Sequence, residues 1–215
     1  MDKKDLPQVF RILQEMKSQW QDETLASREK DPFRILIGCI LSLRTKDSIT
    51  KKVANHLFSI AKTPAEILAI PQEKLAEIIY PVGFYRQKAK NLREIAQILL
   101  ERYQGKVPDN LEQLLELPGV GRKTANLVVT VGFGKAGICV DTHVHRIVNR
   151  WGLVNTKTPE KTEEALRKEL PQKYWIPINN LLVLWGQNIC LPRVPRCSIC
   201  QIQPFCEQKG VEKLQ

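Results

Sequence analysis

Leu115-Glu116-Leu117-Pro118-Gly119-Val120-Gly121-Arg122-Lys123-Thr124-Ala125-Asn126 is the stretch that decides the fold. A short amphipathic segment, Leu111 to Glu116, runs into a Pro-Gly turn, and a second helix begins at Arg122 after two glycines that flank one apolar residue. The implied unit is helix, hairpin, helix. Glycine at 119 and 121 lets the backbone approach a ligand, and the free amides at the positive end of the second helix suit a phosphate. Pro-Gly alone marks an ordinary turn between packed helices. The adjacent Arg122-Lys123 pair and the charge of the whole chain shift the reading to an anion-binding hairpin. Lys123 stands in the first turn of the second helix. An amine attacks carbon only when neutral, and the neighbouring cation, the positive helix end and any desolvation all favour that form. The placement suits Schiff-base chemistry, although a solvated lysine is the commoner occupant of a helix start.

Working outward, apolar spacing is helical nearly everywhere. Ala89, Leu92, Ala96, Leu99 and Tyr103 recur at steps of three and four, with Gly105 as a stop and Pro108 beyond it. Similar segments run over Leu6 to Trp20, Pro32 to Leu43, Ser48 to Ala61, Gln72 to Tyr80, Arg122 to Val131, Thr142 to Trp151, Glu160 to Leu170 and Trp175 to Ile189. About ten helices and little or no sheet are expected, and the β-branched run Leu127 to Val131 reads as the buried continuation of a helix. Start signals agree: Asp47 before Ser48, Thr63-Pro64 before Ala65-Glu66, Asp109 three residues ahead of Glu112, and Thr158-Pro159 before Glu160. No low-complexity linker, like-charge block or long-period repeat divides the chain, so two lobes would have to share it.

Composition narrows the class. The 215 residues can bury a sizeable core, and ordinary globular usage excludes disorder as the overall state. A net charge of +10 favours a polyanionic partner. The longest apolar stretches fall well short of a bilayer span, and Met1-Asp2-Lys3-Lys4-Asp5 lacks the apolar segment of a signal peptide, so the chain is expected to be soluble and intracellular. Monomer is the expected state, since no exposed heptad is visible.

Two further constellations carry chemistry. In Ile138-Cys139-Val140-Asp141-Thr142-His143-Val144-His145-Arg146, Asp141 stands where a helix starts and reads as an N-cap. A carboxylate held by cap amides stays ionised, and beside a bound sugar it could stabilise a developing oxocarbenium ion or handle a proton. His143 and His145 lie two apart, which on a helix faces them differently and argues against a paired metal site. The second constellation is Cys190, Cys197, Cys200 and Cys206, spaced C-x6-C-x2-C-x5-C within 17 residues of an unsecreted chain. Four thiolates so close can share one centre, and both an iron-sulfur cluster and zinc remain open from spacing alone. Leu191-Pro192-Arg193-Val194-Pro195-Arg196 between the first two is stiffened by proline and charged by arginine, so a metal centre could hold it against a phosphate backbone. Cys39 and Cys139 lie in apolar runs and read as buried thiols.

Together, Leu117 to Asn126, then Val140-Asp141-Thr142-His143, then the four-cysteine tail resemble the endonuclease III family of helix-hairpin-helix DNA glycosylases, with their Gly/Pro-rich loop and catalytic aspartate. The similarity spans nearly the whole chain, with the motifs in the family's order. It implies an all-α, two-lobed fold with DNA in the cleft between the lobes: a six-helix barrel over residues 25–136, and a helical lobe of 1–24 and 137–215 carrying a [4Fe-4S] cluster on 190–206. By the same resemblance Cys190, Cys197, Cys200 and Cys206 are the cluster ligands, Lys123 is the nucleophile and Asp141 the carboxylate that assists it. DNA would be touched by the hairpin residues Gly119, Val120, Gly121 and Arg122 and by Arg193 and Arg196 of the cluster loop.

An enzyme that takes a base out of the stack fills the hole it leaves. The resemblance places one filler in Leu41-Ser42-Leu43-Arg44-Thr45-Lys46-Asp47, where Arg44 replaces the family's better-known glutamine, and a second, apolar one at Phe84 in Gly83-Phe84-Tyr85-Arg86. The implied activity is removal of oxidised pyrimidines from damaged double-stranded DNA, followed by cleavage 3′ to the abasic site by β-elimination. The implied setting is a cytoplasmic, nucleoid-associated monomer with no membrane partner. A hydroxyl or carboxylate in place of Lys123 would activate water and stop at base removal. The rival readings are a mismatch-directed glycosylase for adenine or thymine, which Lys123 opposes, and a catalytically silent DNA-binding module.

Overall fold

Helical periodicity becomes, in the computed structural model, eleven α-helices among the described residues, which are 1–20 and 29–212, and no strand. They are α1 (Leu6–Lys17), α2 (Pro32–Ser42), α3 (Asp47–Ile60), α4 (Pro64–Ala69), α5 (Gln72–Ile79), α6 (Tyr85–Tyr103), α7 (Leu111–Leu115), α8 (Arg122–Leu127), α9 (Thr142–Arg150), α10 (Pro159–Glu169) and α11 (Pro177–Asn188). The fold is all-α. The chain divides into two units, Arg28–Lys135 and Met1–Ser27 with Ala136–Gln215. The expected lobe boundary at residues 24 and 25 lies outside the described residues. None of these helices is long and apolar enough to cross a membrane.

In the unit Arg28–Lys135, α2 is apolar all round and correspondingly buried, from Phe33 through Leu41 with Arg34 as the exception. Each Leu or Ile so placed contributes roughly 1.5–3 kcal/mol by leaving water. The long α6 is the spine, packed by α4 and α5 and touching α2. It stops because Gln104 and Gly105 both turn left-handed and the Gly105 amide donates to Leu99 at 2.8 Å. The expected β-branched continuation of α8 is buried, but Val128–Gly132 winds as a π-turn rather than an α-helix.

The other unit packs α1 and α9 on α11 around Leu6, Phe10, Leu13, Ile147, Trp151 and Trp185. Phe10 stacks on Tyr174 with centroids 4.0 Å apart.

Two expected helix starts are corrected. Asp47 is itself the first residue of α3, after Lys46 at the N-cap, and makes no cap. At α7 the cap is Asn110, whose side chain accepts from Gln113; Asp109 instead pairs with Lys135 at 2.7 Å. Thr63 does form a reciprocal capping box with Glu66, and Thr158 caps α10.

Candidate active site and cysteine centre

The hairpin between α7 and α8 is closed by the Val120 amide, which donates to Leu117 at 3.1 Å. Gly119 sits at φ +78, a conformation that favours glycine, and a Cβ there would lie 2.6 Å from Asn91 Nδ2 on α6, so the amide end of Asn91 would have to shift. Gln87 steadies Asn91 with a 2.8 Å hydrogen bond. The Val120 side chain is buried and its amide is used in the turn, which leaves Gly119, Gly121 and Arg122 as the exposed members of the hairpin. Gly121 is the N-cap of α8 and offers no side chain to the first-turn amides. Lys123 follows, exposed, on a helix packed against α2. Burial pushes the Cys39 thiol of α2 up to about 12, and the nearby Lys123 ammonium pulls against that shift.

The two expected gap-fillers share this unit. Arg44, between α2 and α3, has φ 52, and Phe84, before α6, has φ 57 and is 63% exposed. Left-handed backbone at two non-glycine residues costs energy and must be held by its surroundings. The Arg44 guanidinium lies over the Phe84 ring, 5.4 Å from its centroid. The structure therefore brings together two residues that lie far apart in the chain.

In the other unit Asp141 is 8% exposed and caps α9: Oδ1 accepts from the amides of His143 and Val144, both at 2.9 Å. Its second oxygen is 3.0 Å from His143 Nδ1, which donates to it when protonated there. His143 was not legible as a partner, although its position two residues into a capped helix is the available signal. His145 turns elsewhere, to Thr162 and Asn149, as its spacing from His143 implied.

Cys190, Cys197, Cys200 and Cys206 line one recess, together with Arg150, Trp151, Trp185 and Arg196. Burial raises Cys197, Cys206 and, to about 11, Cys200, and the neighbouring thiols raise them further. At Cys197, Cys200 and Cys206 the thiolate is therefore costly unless a positive centre neutralises it. Donors are already aimed at the sulfurs: the Gln208 amide at Cys206 Sγ, 3.4 Å, and the Arg150 guanidinium at Cys190 Sγ, 3.3 Å. Arg150 also donates to the carbonyls of Leu191 and Pro192 at 2.7 and 2.6 Å, so it supports the loop that presents Arg193 and Arg196 to solvent. Among the described residues no three His, Cys, Asp or Glu side chains converge on a position for a single metal ion.

Residues 37–172 match the family model described as HhH-GPD superfamily base excision DNA repair protein. The endonuclease III of Thermotoga maritima is 53% identical over 180 residues, 84% of each chain. The chain belongs to the endonuclease III family. It is thereby a DNA glycosylase of base excision repair, and AP lyase activity goes with the family. A solved structure of a trapped endonuclease III–DNA covalent intermediate is similar over 97% of this chain and 98% of that one, at 34% identity and a TM-score of 0.84. The structure of a thermostable thymine-DNA glycosylase is similar over 96% of both chains, at 31% identity and a TM-score of 0.84.

Proposed function

We propose that this enzyme removes oxidised pyrimidines from duplex DNA through a Schiff base on Lys123 and then cuts the strand 3′ to the abasic site. The observation that carries the reading is a lysine exposed in the first turn of α8, directly behind a glycine hairpin whose Gly121 is the N-cap of that helix. Neutral Lys123 Nζ attacks the anomeric carbon, and the base departs with the electron pair of the glycosidic bond and takes up a proton. Ring opening leaves a protonated imine. Loss of a proton from C2′ then sends electrons toward the imine and expels the 3′ phosphate, and water releases the enzyme. Asp141, held by its cap amides and by His143, supplies the fixed negative charge that steadies the sugar as positive charge develops.

Cys190, Cys197, Cys200 and Cys206 hold a [4Fe-4S] cluster in this reading, supported by the shared recess and the donors aimed at sulfur. The cluster ties the chain from 190 to 206 into one rigid piece, and Arg193 and Arg196 present positive charge to the DNA backbone. Gly119, Gly121, Arg122, Arg44 and Phe84 complete the DNA-facing set. Iron and acid-labile sulfide in anaerobically purified protein support the cluster; zinc alone removes it.

Borohydride reduction during turnover tests the central step. A covalent adduct on damaged duplex that vanishes in Lys123→Ala, with the reduced crosslink mapped to residue 123, is the expected result. Tight binding without an adduct would remove Lys123 as the nucleophile. The likeness to a thymine-DNA glycosylase makes the substrate a separate question. Duplexes carrying thymine glycol, or a thymine-guanine or adenine-oxoguanine mismatch, separate an oxidised-pyrimidine enzyme from a mismatch-directed one.

A further inference from the structure

Lys88, near the start of α6, is 5% exposed and is the one buried lysine among the described residues. Its Nζ donates to the carbonyl oxygens of Leu41 at 2.8 Å and Leu43 at 2.6 Å and to Thr45 Oγ1 at 3.2 Å. An ammonium has three donors, and here each has its oxygen. Two of the three come from the last turn of α2 and the residue that leaves it, where carbonyls lack helical partners and the dipole is negative. The residue enclosed by these contacts, between Leu43 and Thr45, is Arg44.

A second set of contacts joins the same loop to the Phe84 turn. The Gly83 amide donates to Thr45 Oγ1 at 3.0 Å, so that hydroxyl accepts from both Gly83 and Lys88. A Cβ on Gly83 would come 2.5 Å from the Arg44 carbonyl oxygen, so the two backbones approach as closely as glycine allows. Above this seam both turns adopt their left-handed residues, and the Arg44 guanidinium covers the exposed Phe84 ring.

We infer that Lys88 is a positioning residue that locks the Arg44 and Phe84 turns into one preformed tip, and thereby sets how the enzyme senses the base opposite the lesion. The inference rests on the reading that Arg44 and Phe84 enter the gap left by an extruded base. Lys88 is buried and acts through Arg44. Burial brings its amine down to about 8, and the three oxygens favour the ammonium, so the cation is present at neutral pH. A preformed tip enters the duplex without first ordering its own loop, which is where the rate is gained.

The test uses the full chain and a duplex with a tetrahydrofuran abasic analogue opposite 2-aminopurine. The analogue cannot form an imine, so this measurement is independent of Lys123 chemistry. The wild-type protein should raise 2-aminopurine fluorescence as the orphaned base unstacks. Lys88→Met, which keeps length and removes the donors, and Thr45→Val, which keeps Lys88 but removes the shared acceptor and the 3.3 Å bond that the hydroxyl donates to Leu43, should both reduce that rise at saturating protein. Kinetically, Lys88→Met should lower kcat/KM on thymine glycol by roughly 10- to 100-fold, the loss expected from a cluster of charge-assisted hydrogen bonds, and erase the difference between adenine and guanine opposite. Cleavage of a preformed abasic site, with no base to extrude, should fall far less.

In an Arg44→Ala background Lys88→Met should add less than about twofold, as expected of residues that act as a unit. A wild-type protein that gives no fluorescence rise overturns both the gap-filling reading and this inference. A wild-type rise left intact by a folded Lys88→Met or Thr45→Val, or a full Lys88→Met penalty in the Arg44→Ala background, overturns the role of Lys88 alone. Thermal unfolding of each variant identifies any that fails to fold, and Thr45→Val carries the test if Lys88→Met does.

Discussion

The hairpin before Lys123 and the turn that carries Arg44 both bring a cation to the surface of the same unit, by opposite means. The hairpin is specified locally: Pro118, Gly119 and Gly121 fix it within a few residues, and the bond that closes it spans only Leu117 to Val120. The Arg44 turn has no glycine of its own and is left-handed at arginine, and its support comes from Gly83 and Lys88, 38 to 47 residues away. A locally specified turn can present a nucleophile at a fixed place whatever packs around it. A turn held from afar can respond to what it touches. The first suits a group whose geometry must not vary, the second a group that reports on a base.

The largest effect should come from the end of the local hairpin. Lys123→Ala removes the attacking amine while the turn keeps its shape, so single-turnover cleavage should fall by at least roughly 10⁴-fold, as when a nucleophile is deleted elsewhere. Affinity for damaged duplex should be almost unchanged. A comparable loss of affinity would mean that the lysine helps build the hairpin and that position and chemistry are not separable there.

Asp141→Asn comes next. Asparagine caps a helix about as well as aspartate, so thermal stability should move by well under about 1 kcal/mol. In the proposed mechanism, losing its negative charge should nevertheless lower kcat by roughly 10²- to 10⁴-fold. A stability loss without the kinetic one would reduce Asp141 to a cap.

Gly119→Ala strikes the local hairpin directly. The residue must hold φ +78 and its new methyl meets Asn91 Nδ2, so DNA affinity should weaken by roughly 10-fold or more, the equivalent of about 1–2 kcal/mol of left-handed strain. Adding Asn91→Ala removes the collision but leaves the strain. If the double variant regains wild-type affinity, Asn91 on α6 holds the hairpin as Lys88 holds the Arg44 turn, and the contrast between the two regions disappears.

That contrast also marks what could be read without a structure. The helices, the hairpin, Asp141 as a cap and the cysteine spacing are statements about neighbours in sequence, and local propensity expresses them directly. Lys88 carries no such signal. At step four from Leu92 and beside Ala89 it occupies the apolar face of α6, where a lysine reads as a solvated edge position until the carbonyls of another helix end are placed over it. Arg150 is hidden in the same way, since nothing near it in sequence indicates that it will hold the Cys190 loop. Buried cations that serve distant carbonyls are a tertiary property, as is the pairing of Arg44 with Phe84.

The smallest effect tests how finely the local code operates. The pattern before α7 offers two adjacent acceptors, Asp109 and Asn110, and Asp109 stands at the capping-box distance from Glu112. In the structure Asn110 takes the cap, accepting from Gln113 at 2.9 Å, while Asp109 reaches Lys135 through solvent-exposed side chains. Asn110→Ala should therefore cost about 1 kcal/mol of unfolding free energy at any salt concentration, because it leaves an amide of the first turn without its partner. Asp109→Ala should cost less than about 0.5 kcal/mol, and that small cost should vanish by roughly 1 M salt, where the screening length is only about 3 Å. Chemical denaturation of the two variants at low and high salt distinguishes them. Equal losses would mean that the two residues exchange the cap, and that the start of the helix leading into the hairpin is less sharply defined than its end.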